Sequence, residues 1–147
     1  MFIARLGQRN ITLHVQDNMI NVVEEVRRGP LAESLEFIAE SIEQCMGAVK
    51  RLNGLDRTVV SFSSGNIMVM VGGGDGIYVV SIETPKNLIN VVNLDAEEDE
   101  VVDVTVGGQA CEYPRYYVVK LSQVGAALQD HLFGIKNEEV EYEIIPK

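Results

Sequence analysis

The sequence predicts an α+β fold, a mainly antiparallel sheet packed against one long helix (31–52) and a shorter C-terminal helix (122–133). Three observations carry that prediction. Apolar residues recur at three- and four-residue steps from Leu31 to Leu52, the period changes to two from Val59 onward, and a second helical stripe occupies Ser122 to Phe133. With 147 residues, 46% of them hydrophobic, and no dividing linker, residues 1–147 are expected to form a single domain.

Taken in order, Ile11, Leu13 and Val15 alternate with Thr12, His14 and Gln16, the pattern of a half-buried strand with His14 turned away from its apolar face. Between Asn18 and Arg28 the spacing is ambiguous; Met19, Val22, Val23 and Val26 fit a short helix ended by Gly29-Pro30. The long helix is read from Leu31, Leu35, Ile38, Ile42, Cys45, Met46, Val49 and Leu52 on one stripe, with Glu33, Glu36, Glu40, Glu43, Lys50 and Arg51 on the other faces. Pro30 stands at its start and Asn53-Gly54 at its end. Ordering a residue costs about 1–2 kcal/mol, and a buried aliphatic returns about 1.5–3 kcal/mol only against a partner surface, so this helix is expected to cover a sheet.

The segments Val59–Ser63, Ile67–Val71 and Ile77–Ile82 read as consecutive antiparallel strands. In the last two both alternating sets are largely apolar, which places them centrally. Leu88–Asn93, Val101–Val106 and Tyr116–Leu121 extend the meander. The second helix carries Val124, Ala127, Leu128, His131 and Leu132 on its stripe and closes at Gly134. In the last strand Val140, Tyr142 and Ile144 alternate with Glu139, Glu141 and Glu143, an acidic edge that resists unwanted pairing.

The charge excludes whole classes of partner. A formal net charge of −10 repels phosphate backbones and anionic lipid, so neither nucleic acid nor membrane is expected, whereas a basic protein would be steered toward the chain. No run of 18 apolar residues exists, and MFIARLGQRN turns polar too early for a signal peptide; the expected location is cytoplasmic.

Catalytic and cofactor motifs fare no better. Cys45 and Cys111 are too far apart for a metal or redox motif and are expected to be buried free thiols. With only His14 and His131 and no metal-binding spacing, no metal or other cofactor is expected. Gly72-Gly73-Gly74-Asp75-Gly76 is followed by a strand rather than by Gly-Lys-Ser/Thr and a helix, so it reads as a hairpin loop, not a phosphate cradle. Ser61, Ser63 and Ser64 lack the nucleophile-elbow arrangement, which leaves no catalytic residue to nominate.

Asp95, Glu97, Glu98, Asp99 and Glu100 form the densest charge cluster, either a solvated turn or a docking loop whose carboxylates accept bidentate arginine contacts. Tyr113 and Tyr116 follow, with the contact area and polar tip that suit an interface. Strand alternation puts Tyr116 and Tyr117 on opposite faces, so at most one of that pair is expected to be an anchor.

The stretch from Val106 to Glu143 combines Gly107-Gly108-Gln109, Tyr113-Pro114, a hydrophobic strand, a helix with Ala126 and Ala127 ending at Phe133-Gly134, and a strand carrying Val140 and Glu143. In that combination it resembles immunity protein family one of bacterial polymorphic toxin systems. VVSFSSGNIMVMVGGGDGIYVV resembles the family's paired strands around a Gly-Gly turn, and the likeness spans roughly residues 57 to 145. Members usually carry a tryptophan before the glutamate of the last strand; Tyr142 stands there in this chain. The resemblance implies a non-enzymatic cytoplasmic protein that binds and blocks a cognate toxin, commonly a deaminase or nuclease. Two other readings compete. One is a ligand-binding or enzymatic pocket using His131 with Glu112 or Asp130, and the other is a structural homodimer formed through an edge strand.

Overall fold

The structure, a computed structural model, describes residues 19–97 and 99–147. The strand expected at Ile11–Val15, with His14, lies outside the described residues, as does Glu98. Seven strands form one wholly antiparallel sheet: β1 (Ile20–Arg28), β2 (Leu31–Ala39), β3 (Val59–Ser64), β4 (Ile67–Gly74), β5 (Ile77–Glu83), β6 (Asn87–Val92) and β9 (Glu141–Pro146), in the order β2-β1-β3-β4-β5-β6-β9. Strands β7 (Val101–Val106) and β8 (Gln109–Pro114) form a separate hairpin, and two α-helices, α1 (Ile42–Lys50) and α2 (Leu121–Phe133), with a short 3-10 turn at Arg115–Tyr117 complete the described elements.

The α+β architecture follows the sequence reading, but its N-terminal half does not. Leu31–Ala39 is not helical: all nine residues pair with β1, from Arg28↔Leu31 to Ile20↔Ala39, across the turn at Gly29-Pro30. Only Ile42–Lys50 of the expected long helix exists. Leu31, Leu35 and Ile38, counted on its buried stripe, are exposed on an outer strand. The physical reason lies in β1, whose Ile20, Val22 and Val26 alternate inward and offer a complete ladder of backbone partners. That ladder outweighs the helical propensity of a Glu- and Ala-containing segment. The Asn18–Arg28 stretch is correspondingly a strand and not a short helix.

Helix α1 begins where its cap is. Ser41 Oγ accepts the Gln44 N–H at 3.2 Å, a Ser-x-x-Gln start that supplies one orphan donor with a partner. α2 ends at Gly134 in the left-handed conformation, φ +69°, where the Ile135 N–H returns to the Gln129 carbonyl.

One face of the sheet makes the core. Val22, Phe62, Val69, Ile82 and Ile89 lie in a single register row across five strands and are buried beneath Cys45, Ala48 and Val49 of α1 and Val124, Ala127, Leu128 and Leu132 of α2. β4 and β5 lie inside the sheet, as expected, but only one alternating set of each is in the core: Met68 and Met70 of β4 and Ile77 of β5 are exposed on the other face.

The other face meets the β7–β8 hairpin at one end. A Cβ on Gly72 would stand 2.7 Å from the Val106 methyl carbons, so bare backbone there is what lets the hairpin sit down on β4. The glycine run is therefore split in function. Gly72 to Gly74 belong to β4, and the hairpin turn itself is Asp75-Gly76, with Asp75 at φ +57°. The segment Tyr116–Leu121 is not a strand. Pro114 is followed by a 3-10 turn at Arg115–Tyr117, and only Val119 pairs, in a single bridge with Tyr78.

Candidate partner-binding face

Two register rows run across all seven strands on the face away from the helices. One is Glu36, Val23, Ser61, Met70, Ser81, Asn90 and Glu143; the next is Ile38, Asn21, Ser63, Met68, Glu83, Leu88 and Ile145. Ile38, Met68, Met70, Leu88 and Ile145 are all exposed, among the described residues, on this surface. Large apolar side chains in adjacent rows of an uncovered sheet are the mark of an interaction surface, and methionine adapts well to a partner's shape.

The hairpin roofs one end of the face and is fastened at its tip. Thr58, fully buried, donates its hydroxyl to Glu25 Oε1 at 2.7 Å and accepts the Gly108 N–H at 2.9 Å. Arg27 donates to the Gly107 carbonyl at 3.3 Å and to Glu25 Oε2 at 3.1 Å, so one carboxylate organises both contacts to the Gly107-Gly108 turn. At the other end the Arg115 N–H donates to the Glu100 carbonyl at 2.9 Å.

Beneath the roof runs a groove of about 380 Å³ lined by Met70, Val79, Ser81, Asn90, Tyr113, Pro114 and Tyr117. A shallow trough of about 390 Å³, lined in part by Val23, Ser34, Val59, Ser61 and Met68, lies on the other side of Met70 and shares it. At the groove's wall, two lining residues hold Glu143: Tyr117 donates its hydroxyl to it, with the oxygen 2.9 Å from Oε1 and 3.2 Å from Oε2, and Asn90 Nδ2 donates to Oε1 at 3.1 Å. Donation to the carboxylate raises the Tyr117 pKa above its ordinary value, which keeps the phenol protonated and in place.

The sequence-selected residues fall into two groups. Asp95, Glu97, Asp99 and Glu100 lie on the exposed β6–β7 loop, where Asn93 Oδ1 accepts the Asp95 N–H and Glu100 Oε1 accepts the Glu97 N–H. Tyr113 lines the groove. Tyr116 instead sits on the 3-10 turn, its carbonyl accepting the Asn93 N–H at 2.7 Å, which ties the acidic loop to the tyrosine segment. Because that segment is a turn, Tyr116 and Tyr117 do not point to opposite faces of a strand; their rings meet edge to face with centroids 5.3 Å apart. Tyr117, Met70, Asn90 and Glu143 were not selected by sequence reasoning. Methionines alternating with the inward Val69 and Val71 of β4 are the one signal that marks this face in the sequence.

Cys45 is buried, its thiol pKa pushed up to about 11 by desolvation. Cys111 is exposed on β8, contrary to expectation: it pairs with the buried Val104, but of the two hairpin strands it is β7 that packs on β4 and β5. His131 lies half-buried on α2, edge-on to Tyr142 with ring centroids 5.0 Å apart. Its Nε2 has no hydrogen-bond partner among the described residues, and burial lowers its pKa while Asp130 opposes the shift. Asp130 accepts the Tyr142 hydroxyl at 2.8 Å. Glu112 belongs to β8, on the far side of the sheet from α2, so of its two suggested partners only Asp130 is beside His131.

Among the described residues no group of three or more His, Cys, Asp or Glu is placed to hold a metal, and no helix is long and apolar enough to cross a membrane. Compared with family models, curated proteins and solved structures, the chain has no match.

Proposed function

We propose that this chain is a non-enzymatic, cytoplasmic immunity protein that neutralises a cognate basic toxin, a nucleic-acid-directed deaminase or nuclease, by docking it on the open sheet face. The observation that carries the reading is the pair of register rows left uncovered among the described residues, with Met68, Met70, Leu88 and Ile145 exposed beside a tyrosine-walled groove. Exposed apolar area supplies affinity, and the surrounding carboxylates, within a chain of net charge −10, supply steering toward a basic surface. The resemblance at residues 106–143 supplies the class of partner.

The test is co-production of the full chain with the basic toxin domain encoded beside its gene. The expected result is a stable complex and survival of the host cell. Met70→Glu, which changes an exposed side chain, is expected to lose both while the protein remains folded. Capture and protection unchanged by Met70→Glu would remove the open face as the docking site, and failure of the parent chain to bind would remove the immunity reading.

One further observation favours a second reading. Among the described residues β2 is an outer strand with Leu31, Leu35 and Ile38 exposed, the arrangement through which two copies can join by strand addition. Solution scattering distinguishes the two: a concentration-dependent dimer abolished by Leu35→Lys supports the homodimer, and a monomer excludes it.

A further inference from the structure

We infer that the groove under the β7–β8 hairpin is a receptor for a single arginine side chain of the docked partner, with Glu143 as its anion. This assignment rests on the open-face reading above and deepens it. Glu143 is half-buried at the end of the row that contains Met70, and among the described residues the groups that bond its side chain are neutral donors, Tyr117 Oη and Asn90 Nδ2. Among the described residues no lysine, arginine or histidine forms an ion pair with it. The contrast within the protein is informative. Glu24 and Glu25, the other described glutamates that are not exposed, each have an arginine within 4.0 Å, whereas Glu143, held at the groove by two of its lining residues, has no such cation among the described residues. A carboxylate drawn partly out of water is a costly arrangement unless a cation completes it.

The rest of the groove suits the stem and plane of an arginine. Met70, Val79 and Pro114 offer apolar surface to a three-carbon stem, and Tyr113 and Tyr117 offer ring faces. Glu143 Oε1 already accepts two hydrogen bonds, but Oε2 accepts only the longer one from Tyr117, which leaves acceptor capacity on that oxygen for a guanidinium. A lysine would satisfy the charge without using the ring walls as a planar group does. The chemistry is that of a guanidinium, and the partner's side chain is its source.

The probe is acetyl-arginine-methylamide, titrated into the isotope-labelled full chain and followed by amide resonances, with the neutral isostere acetyl-citrulline-methylamide in parallel. The expected result is saturable shifts centred on Ser81, Asn90 and Tyr113, with the citrulline compound bound about fivefold more weakly or worse, the scale of one charge-assisted contact. Glu143→Gln is expected to bring arginine down to the citrulline level, and preserved dispersion of the remaining resonances shows that this variant is folded. Equal binding of the two compounds, no effect of Glu143→Gln, or shifts centred elsewhere would each overturn the assignment. If these arms fail while Met70→Glu still releases the toxin, the docking face stands and the arginine receptor falls. If the arms succeed while Met70→Glu leaves the complex intact, the pocket binds a free guanidinium compound, and the partner side chain as source is wrong.

Discussion

Glu24, on the buried face of β1, accepts two hydrogen bonds from Arg51, at 2.7 Å to Nε and 3.0 Å to Nη2, and so joins the sheet to the residue that ends α1. Arg57 Nη1 approaches the same Oε1 at 3.5 Å, and the Arg51 guanidinium lies 6.0 Å from the centroid of the Phe37 ring. Glu24 is only 7% exposed, but the Arg51 side chain is 45% exposed, so the pair is shielded on one side only. Glu24→Ala is expected to cost about 1–3 kcal/mol, below the range for a fully buried pair because water reaches the arginine. Urea unfolding measures the change, and a value within a few tenths of zero would show that the pair is not structural.

Thr58 links sheet and hairpin through one oxygen. Thr58→Val removes the donor to Glu25 and the acceptor for Gly108, and is expected to cost about 1–3 kcal/mol. Thr58→Ser keeps both bonds and is expected to cost less. Hydrogen exchange at the Gly108 amide should accelerate in the valine variant alone.

Gly72 and Val106 predict a compensating pair. Gly72→Ala places a methyl where Val106 already lies and is expected to destabilise by about 1–3 kcal/mol through overpacking. Adding Val106→Ala should recover part of that loss, a positive coupling readable in a double-mutant cycle.

His131 makes stability fall in acid. Its folded pKa lies below the ordinary value of 6.5, so the unfolded chain takes up the proton first as pH drops. The contribution is absent well above pH 6.5 and grows as pH falls from there toward the depressed folded value. His131→Phe removes it. The stability difference between wild type and variant should therefore change between about pH 7 and pH 5, measured by denaturation at matched ionic strength, and a pH-independent difference would contradict the assignment.

The two thiols should separate kinetically. Exposed Cys111 is expected to react with an aromatic disulfide reagent at the rate of a free thiol, and Cys45, with its pKa pushed up to about 11, only after unfolding.

The parts of the fold that could be read in the sequence are those where one local signal acted alone. α2 was marked by an apolar stripe and a closing glycine, and the strands from Val59 to Val106 by period two and turn residues. The apolar spacing of Leu31–Ala39 satisfies a helix, while its actual state is decided by a partner strand reached across Gly29-Pro30. Ser41-x-x-Gln44 was the one local sign that a helix begins later. β8 carried no apolar alternation, since most of its residues face water. The candidate site was the least legible part. Met70, Asn90 and Glu143 come from three strands, and only the register between them sets them in one row with Ser81.

That register gives the order of synthesis a meaning. Glu143 arrives on β9, the six-residue strand that pairs with β6 at the very end of the described chain, after both helices and the roofing hairpin. A ribosome-bound product stopping before residue 141 would hold the tyrosine walls without their anion and leave the outer edge of β6 unpaired by β9. The proposed guanidinium receptor is thus complete only once β9 has joined β6, and a chain lacking residues 141–146 is expected to keep the groove's tyrosines and lose the carboxylate that they hold.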